Sequence, residues 1–108
     1  PVQFDLKPGT DYFAVTVQDD GMEPFLYCGD AVVCSCCGIS DVTEDGLYVV
    51  YIRRFEKIFI RRAFIKNSTV FFKPDNILYH LDFQRMDPGA SNDVFVLGKV
   101  LETIHLLN

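Results

Sequence analysis

A chain of 108 residues suits one domain, being long enough to bury most of its apolar surface and too short for two independent cores. Hydrophobic residues make up 49% of it, ten of them Phe, against 23% charged; this excludes disorder and leaves much apolar surface to place, some of it between subunits. The net charge of -5 argues against nucleic acid as a direct partner, because duplex affinity rests on neutralising phosphates with Lys and Arg.

Along the chain, β-branched and aromatic residues fall in short runs between Gly, Pro, Asp and Asn, the pattern of strands separated by turns. Residues 12–17 (YFAVTV) predict a first strand, broken by Gln18-Asp19-Asp20-Gly21. Residues 22–26 suit a short turn or helical stub, and Tyr27-Cys28-Gly29-Asp30 a further turn before a strand over 31–36. Past a polar stretch at 41–46, residues 47–52 (LYVVYI) are apolar on both faces, which predicts a central strand. Residues 53–57 make a hairpin tip, 58–65 (IFIRRAFI) the returning strand, 66–68 a turn, and 69–73 a strand stopped by Pro74-Asp75-Asn76. Residues 86–93 (MDPGASND) are the most loop-like, and 94–107 supply one or two closing strands. No segment sustains a 3.6 period and no repeat or linker divides the chain, so the expectation is one mainly β domain over 1–108.

Charge is unevenly spread. Residues 1–45 hold nine acids and one base, Lys7, whereas six of the ten basic residues lie between Arg53 and Lys66, as on a solvated hairpin with charged edges. Cys34 and Cys36 share one strand face and Cys37 points away, and with Cys28 they lack the paired knuckles of a zinc site. They read as reduced, partly buried thiols of a cytoplasmic protein, with no metal or cofactor. His80 and His105 are isolated and read as structural or surface residues. There is no initiating Met, no signal segment and no apolar run approaching a membrane span, which suggests a soluble fragment or processed piece with no membrane partner.

One segment is more specific. Asp20-Gly21-Met22-Glu23-Pro24, followed by Cys28-Gly29-Asp30-Ala31-Val32-Val33, resembles the element around the nucleophile in LexA, UmuD and the lambda-type phage repressors, with the family's serine falling on Gly21. Asp45-Gly46-Leu47-Tyr48-Val49-Val50 and Ile58-Phe59-Ile60-Arg61-Arg62-Ala63-Phe64 are similar to its central strands, with the family's lysine falling on Arg61. Phe72-Lys73-Pro74-Asp75-Asn76-Ile77-Leu78-Tyr79 and Val96-Leu97-Gly98-Lys99-Val100 match two later landmarks. The resemblance covers roughly residues 12–104 in the right order and implies a LexA C-terminal-domain-like, β-clip type fold of twisted antiparallel sheets.

In that family a serine hydroxyl attacks a peptide carbonyl while a neutral lysine accepts its proton. Gly21 offers no nucleophile, and a guanidinium at Arg61 stays protonated and cannot serve as a base. The resemblance therefore implies a degenerate peptidase without catalytic residues, in which Gly21 and Arg61 are vestigial and Arg61 pairs with Asp19 or Asp20. Cys28 with His80 is the one substitute nucleophile and base worth naming, and nothing local activates that thiol. Ser35, Ser40, Ser68 and Ser91 have no lysine or histidine in a recognisable relation.

What remains is assembly. In such repressors this domain joins DNA-binding domains for cooperative operator binding in the bacterial cytoplasm, with DNA reached only through a separate N-terminal helix-turn-helix domain that this chain lacks. The expected partners are further copies of the chain, as dimer or higher oligomer, and an antirepressor protein in place of self-cleavage. Phe95, Leu97, Val100, Leu101, Ile104 and Leu106 are the candidate interface residues, because the closing strand is apolar on both faces and one face needs a cover. The competing readings are a serine-lysine self-cleaving peptidase inactivated by an engineered substitution at Gly21, and a toxin-antitoxin or stress regulator with the same domain; the residues encoded upstream of Pro1 discriminate among them.

Overall fold

A computed structural model describes residues 11–79, 84–86 and 93–105. Among them the chain forms strands β1 (Tyr12–Thr16), β2 (Ala31–Cys36), β3 (Leu47–Ile52), β4 (Lys57–Lys66), β5 (Thr69–Lys73), β6 (Gln84–Met86) and β7 (Val94–Ile104). All seven join one sheet in the order β1-β2-β7-β3-β4-β5-β6, and every pairing is antiparallel. The protein is mainly β. From β3 to β6 the chain meanders between neighbours, after which β7 returns to insert between β2 and β3.

β3 is the middle strand, and it explains how a single sheet holds two cores. Its alternate residues point to opposite faces. Leu47 and Val49 enter a cluster with Val32, Cys34 and Ile60, which Val17, Met22 and Leu26 from the β1–β2 connection cover. Tyr48 and Val50 enter a second cluster with Ala63, Phe72 and Val94, which Val42 from the β2–β3 connection joins. Fully buried Tyr48 keeps its hydroxyl satisfied: Thr43 N–H donates to it at 2.8 Å, and it donates to Asp41 O at 3.4 Å, fastening that connection to the sheet.

Turn chemistry fixes the hairpins. At the β4–β5 corner Asn67 and Ser68 both take the left-handed region, φ 51° and 63°, as the two-residue turn matching strand twist demands. At the β3–β4 corner a 3₁₀ turn, Arg53–Phe55, ends on Glu56 at φ 52°. The stub expected over 22–26 is one helical turn, closed by Leu26 N–H on Met22 O at 2.9 Å.

One feature differs from the sequence reading. β6 was not anticipated, and Met86, assigned to the loop, belongs to it; three residues of strand give too short a pattern to separate from a loop. The closing segment is one long strand broken by two bulges. Between Val49 and Val50 the register skips Leu97, and between Val33 and Cys34 it skips Leu101. A bulge adds a residue without a partner and increases local twist. Both added residues are leucines turned outward.

Candidate functional site

Gly21 lies buried in the turn after β1, and Arg61 lies on β4, forty residues later. The fold brings them into contact. A Cβ built at Gly21 would stand 2.8 Å from each of Arg61 Cζ, Nη1 and Nη2, closer than carbon atoms approach without something shifting. Arg61 is 5% exposed, so its charge must be met inside the protein. Its Nη2 donates to Asp19 Oδ2 at 2.8 Å, and its Nη1 donates to Ile60 O at 2.8 Å and to Asp19 Oδ1 at 3.4 Å. The Phe59 ring lies under the guanidinium at 4.9 Å. Asp19 also accepts the Gly21 N–H at 3.2 Å, so one carboxylate fixes both the turn and the arginine. Partial burial raises the carboxyl's pKa, but the hydrogen bond and charge of Arg61, with the Gly21 N–H, outweigh that and hold it below the ordinary carboxylate value.

Asp20 points elsewhere. Its Oδ1 accepts the Tyr79 hydroxyl at 2.5 Å, which pushes the tyrosine's pKa up. Asn76 completes this clamp: its side-chain amide donates to Asp20 O at 2.8 Å, and its backbone N–H to Gly21 O at 2.8 Å. The positioning roles of Asn76 and Tyr79 were missed in the sequence, although the Pro74-Asp75-Asn76-Ile77-Leu78-Tyr79 landmark that carries them was noticed. Arg62 faces away from Arg61 and makes a two-pronged pair with Asp75, at 2.9 and 2.8 Å, while its Nη1 donates to Asp45 O at 2.9 Å. Asp75 raises the guanidinium's pKa further.

The whole 1–101 stretch matches the family model described as Peptidase S24-like. The chain belongs to the peptidase S24-like family. No curated protein matches it. In this S24-like domain the two positions that the resemblance assigns to the nucleophile and its base are neighbours in space, and they hold a glycine and a guanidinium paired with Asp19.

Beside this pair opens a cleft of about 700 Å³, lined by Tyr51, Phe55, Ile58 and Phe59 together with Gln18, Asp19, Glu56 and Lys57. The remaining expected residues are scattered. Cys28 and Cys36 are exposed, Cys37 is half-buried, and burial pushes the Cys34 thiol up to about 12. His80 and Ser91 lie outside the described residues, so the Cys28–His80 pairing does too. Asp30, near Cys28 in sequence, is buried and accepts from Tyr27 N–H at 2.9 Å and meets His105 Nδ1 at 2.7 Å. No group of three or more His, Cys, Asp or Glu that could hold a metal ion occurs among the described residues.

Of the interface candidates, Phe95, Leu97 and Leu101 are 40%, 40% and 43% exposed, although β7 is an interior strand. Phe95 leans on Tyr51 at a centroid distance of 6.2 Å. Val100 sits opposite Cys34 and is half-buried, packed against the first core cluster. Ile104 is half-buried, and Leu106 lies outside the described residues.

Proposed function

We propose that this S24-like domain does not cleave and acts by self-association, as the oligomerising part of a phage-type repressor whose DNA-binding domain precedes it. The observation that carries this reading is the buried Arg61 guanidinium against Gly21. Acyl transfer needs a nucleophile and a group able to take its proton. At these positions stand a residue with no side chain and a guanidinium, paired with Asp19, that cannot serve as a base. Self-association is supported by Phe95, Leu97 and Leu101, three large apolar groups left outward on an interior strand. Relief of repression would then need a binding partner such as an antirepressor. Among the described residues no helix is long and apolar enough to cross a membrane.

Two measurements test this. Full-length protein incubated with activated RecA, or at raised pH, is expected to stay one species on a denaturing gel; two fragments overturn the non-cleaving reading. In sedimentation the chain is expected to grow in mass with concentration, and a monomer at high micromolar overturns the assembly reading.

A further inference from the structure

β2 ends on two adjacent cysteines beside the Leu97 bulge of β7. Cys36 is exposed and stands opposite Gly98, and Cys37 follows it, half-buried. Three backbone donors hold this corner: Cys36 N–H donates to Asp11 O at 2.9 Å, Cys37 N–H to Leu97 O at 3.3 Å, and Gly38 N–H to Asp41 Oδ2 at 3.0 Å. The middle bond ties the cysteine pair to one of the outward residues of β7.

The thiols differ in what they can do. Cys36 opens to solvent, so an oxidant meets it first. Cys37 packs against the second core cluster; burial pushes its thiol up, Asp41 adds to that, Lys99 opposes it, and Cys36 is close enough to act on it too. Cys34 is fully buried with its thiol pushed up to about 12, which removes it as an attacking group at neutral pH. Cys28 is exposed as well, but it lies before the far end of β2 with no second cysteine beside it. An accessible thiol with a second thiol at its side is the arrangement of a redox sensor.

Strand geometry sets the consequence of joining them. Adjacent side chains on a strand point to opposite faces, and consecutive Cα atoms stand about 3.8 Å apart, below the ~4.4 Å lower end for a relaxed disulfide. A bond between Cys36 and Cys37 therefore forces the peptide between them out of the extended form. With Asp11 O and Asp41 anchoring the residues on either side, it is the Cys37 N–H that leaves Leu97 O. A bond strained in this way is easily reduced, so it persists only while oxidant is present.

We propose that Cys36 and Cys37 form a peroxide-sensing dithiol whose closure displaces Leu97 and loosens self-association, which rests on the assembly role given to β7 above. The Cys36 thiolate attacks one oxygen of hydrogen peroxide and the O–O bond breaks; Cys36 becomes a sulfenic acid, and the departing hydroxide takes up the proton the thiol gave, leaving as water. The Cys37 thiolate then attacks Cys36 Sγ, the S–O bond breaks, and a second water leaves with the proton from Cys37. Two thiols are oxidised to one disulfide and one peroxide is reduced to two waters. Small cellular thiols reverse the bond by exchange. In a repressor that does not cleave itself, this gives oxidative stress a route to derepression.

The test treats the full chain with hydrogen peroxide, unfolds it, alkylates the remaining thiols and locates them by fragment mass spectrometry, with sedimentation velocity run in parallel. Cys28 and Cys34 should carry the alkyl group, while Cys36 and Cys37 should be joined and unalkylated. The association midpoint should rise at least about fivefold, the scale of one lost backbone hydrogen bond, and dithiothreitol should restore it. Cys37→Ser should stop at a Cys36 sulfenic acid that dimedone traps and should keep its association under peroxide. Cys28→Ser should respond as the wild type does, and both variants should associate normally when reduced, which excludes a folding defect. Unjoined Cys36 and Cys37 after peroxide, a bond to Cys28 or Cys34 instead, or a Cys36–Cys37 bond that leaves association unchanged overturns the proposal. A reduced chain that is already monomeric overturns the assembly reading on its own; the dithiol is then judged by its bond and by exchange of the Cys37 amide, which closure should speed and which, if unchanged, counts against it.

Discussion

Replacing Gly21 with Ala adds one carbon, and the expected outcome is a loss of stability. Gly21 does not use the left-handed region, so its backbone accepts alanine, and such exchanges ordinarily stabilise by about 0.4–1 kcal/mol through the unfolded chain. Here the added Cβ would stand 2.8 Å from three guanidinium atoms of Arg61. Relief requires the guanidinium end of Arg61 to shift, which strains its bonds to Asp19 and Ile60 O; losing the buried pair outright sets the upper limit, about 3–5 kcal/mol. Because the Asp19 side chain is 34% exposed, solvent screening reduces that to about 2–3 kcal/mol. For a chain of this length the melt should fall by roughly 8–12 °C. The decisive assay is a denaturant double-mutant cycle of Gly21→Ala with Arg61→Lys, since lysine removes the planar fork that crowds position 21. We expect a coupling of about 2 kcal/mol, with the alanine neutral or stabilising in the lysine background. A coupling under about 0.5 kcal/mol, or an alanine that stabilises the wild type, refutes the contact.

Three further outcomes follow from the same structure. Asp19, held below its ordinary value of 3.8, contributes stability that is present above that value and lost as pH falls through its folded pKa; the stability gap between wild type and Asp19→Asn should therefore close below about pH 4, and a gap that is constant with pH contradicts the pairing. Ser68→Gly should stabilise by up to about 1 kcal/mol in urea melts, because serine pays for the left-handed conformation that glycine adopts freely, and destabilisation would rule out the turn geometry. A thiol reagent at neutral pH should label exposed Cys28 and Cys36 in the native protein and reach Cys34 only after unfolding, whereas rapid native labelling of Cys34 would contradict its burial and raised pKa.

The strands were legible because their signals are local. Residues 47–52 carry apolar groups on both faces, and β3 lies in the middle of the sheet with a core on each side. Asn67-Ser68 between two runs of β formers fixed a hairpin. The closing strand was harder, since alternation over 94–104 is interrupted twice, and sequence alone does not tell a bulge from a break. With the bulges placed at Leu97 and Leu101, the apparent two-faced hydrophobicity separates into Val100, half-buried against the first core cluster, and two exposed leucines. Strict alternation fails one residue past each bulge, which is why the sequence does not separate the faces of β7.

At the site, the identities of Gly21 and Arg61 could be read in the sequence, but their mutual exclusion could not, because it depends on a contact across forty residues of chain. The guanidinium occupies the space that any side chain at position 21 would need, and Asp19 holds it there through two oxygens while also fastening the Gly21 N–H. Restoring a serine at 21 alone would place its Cβ against Arg61. Restoring a lysine at 61 alone would put an amine beside Asp19, whose negative charge favours the protonated form and opposes the low pKa a base requires. Neither Gly21→Ser nor Arg61→Lys alone places a hydroxyl beside a neutral amine. The pair therefore behaves as a structural unit of the sheet, with Asp20, Asn76 and Tyr79 clamping its turn from the other side. A residue that frees position 21 must first give Asp19 another partner.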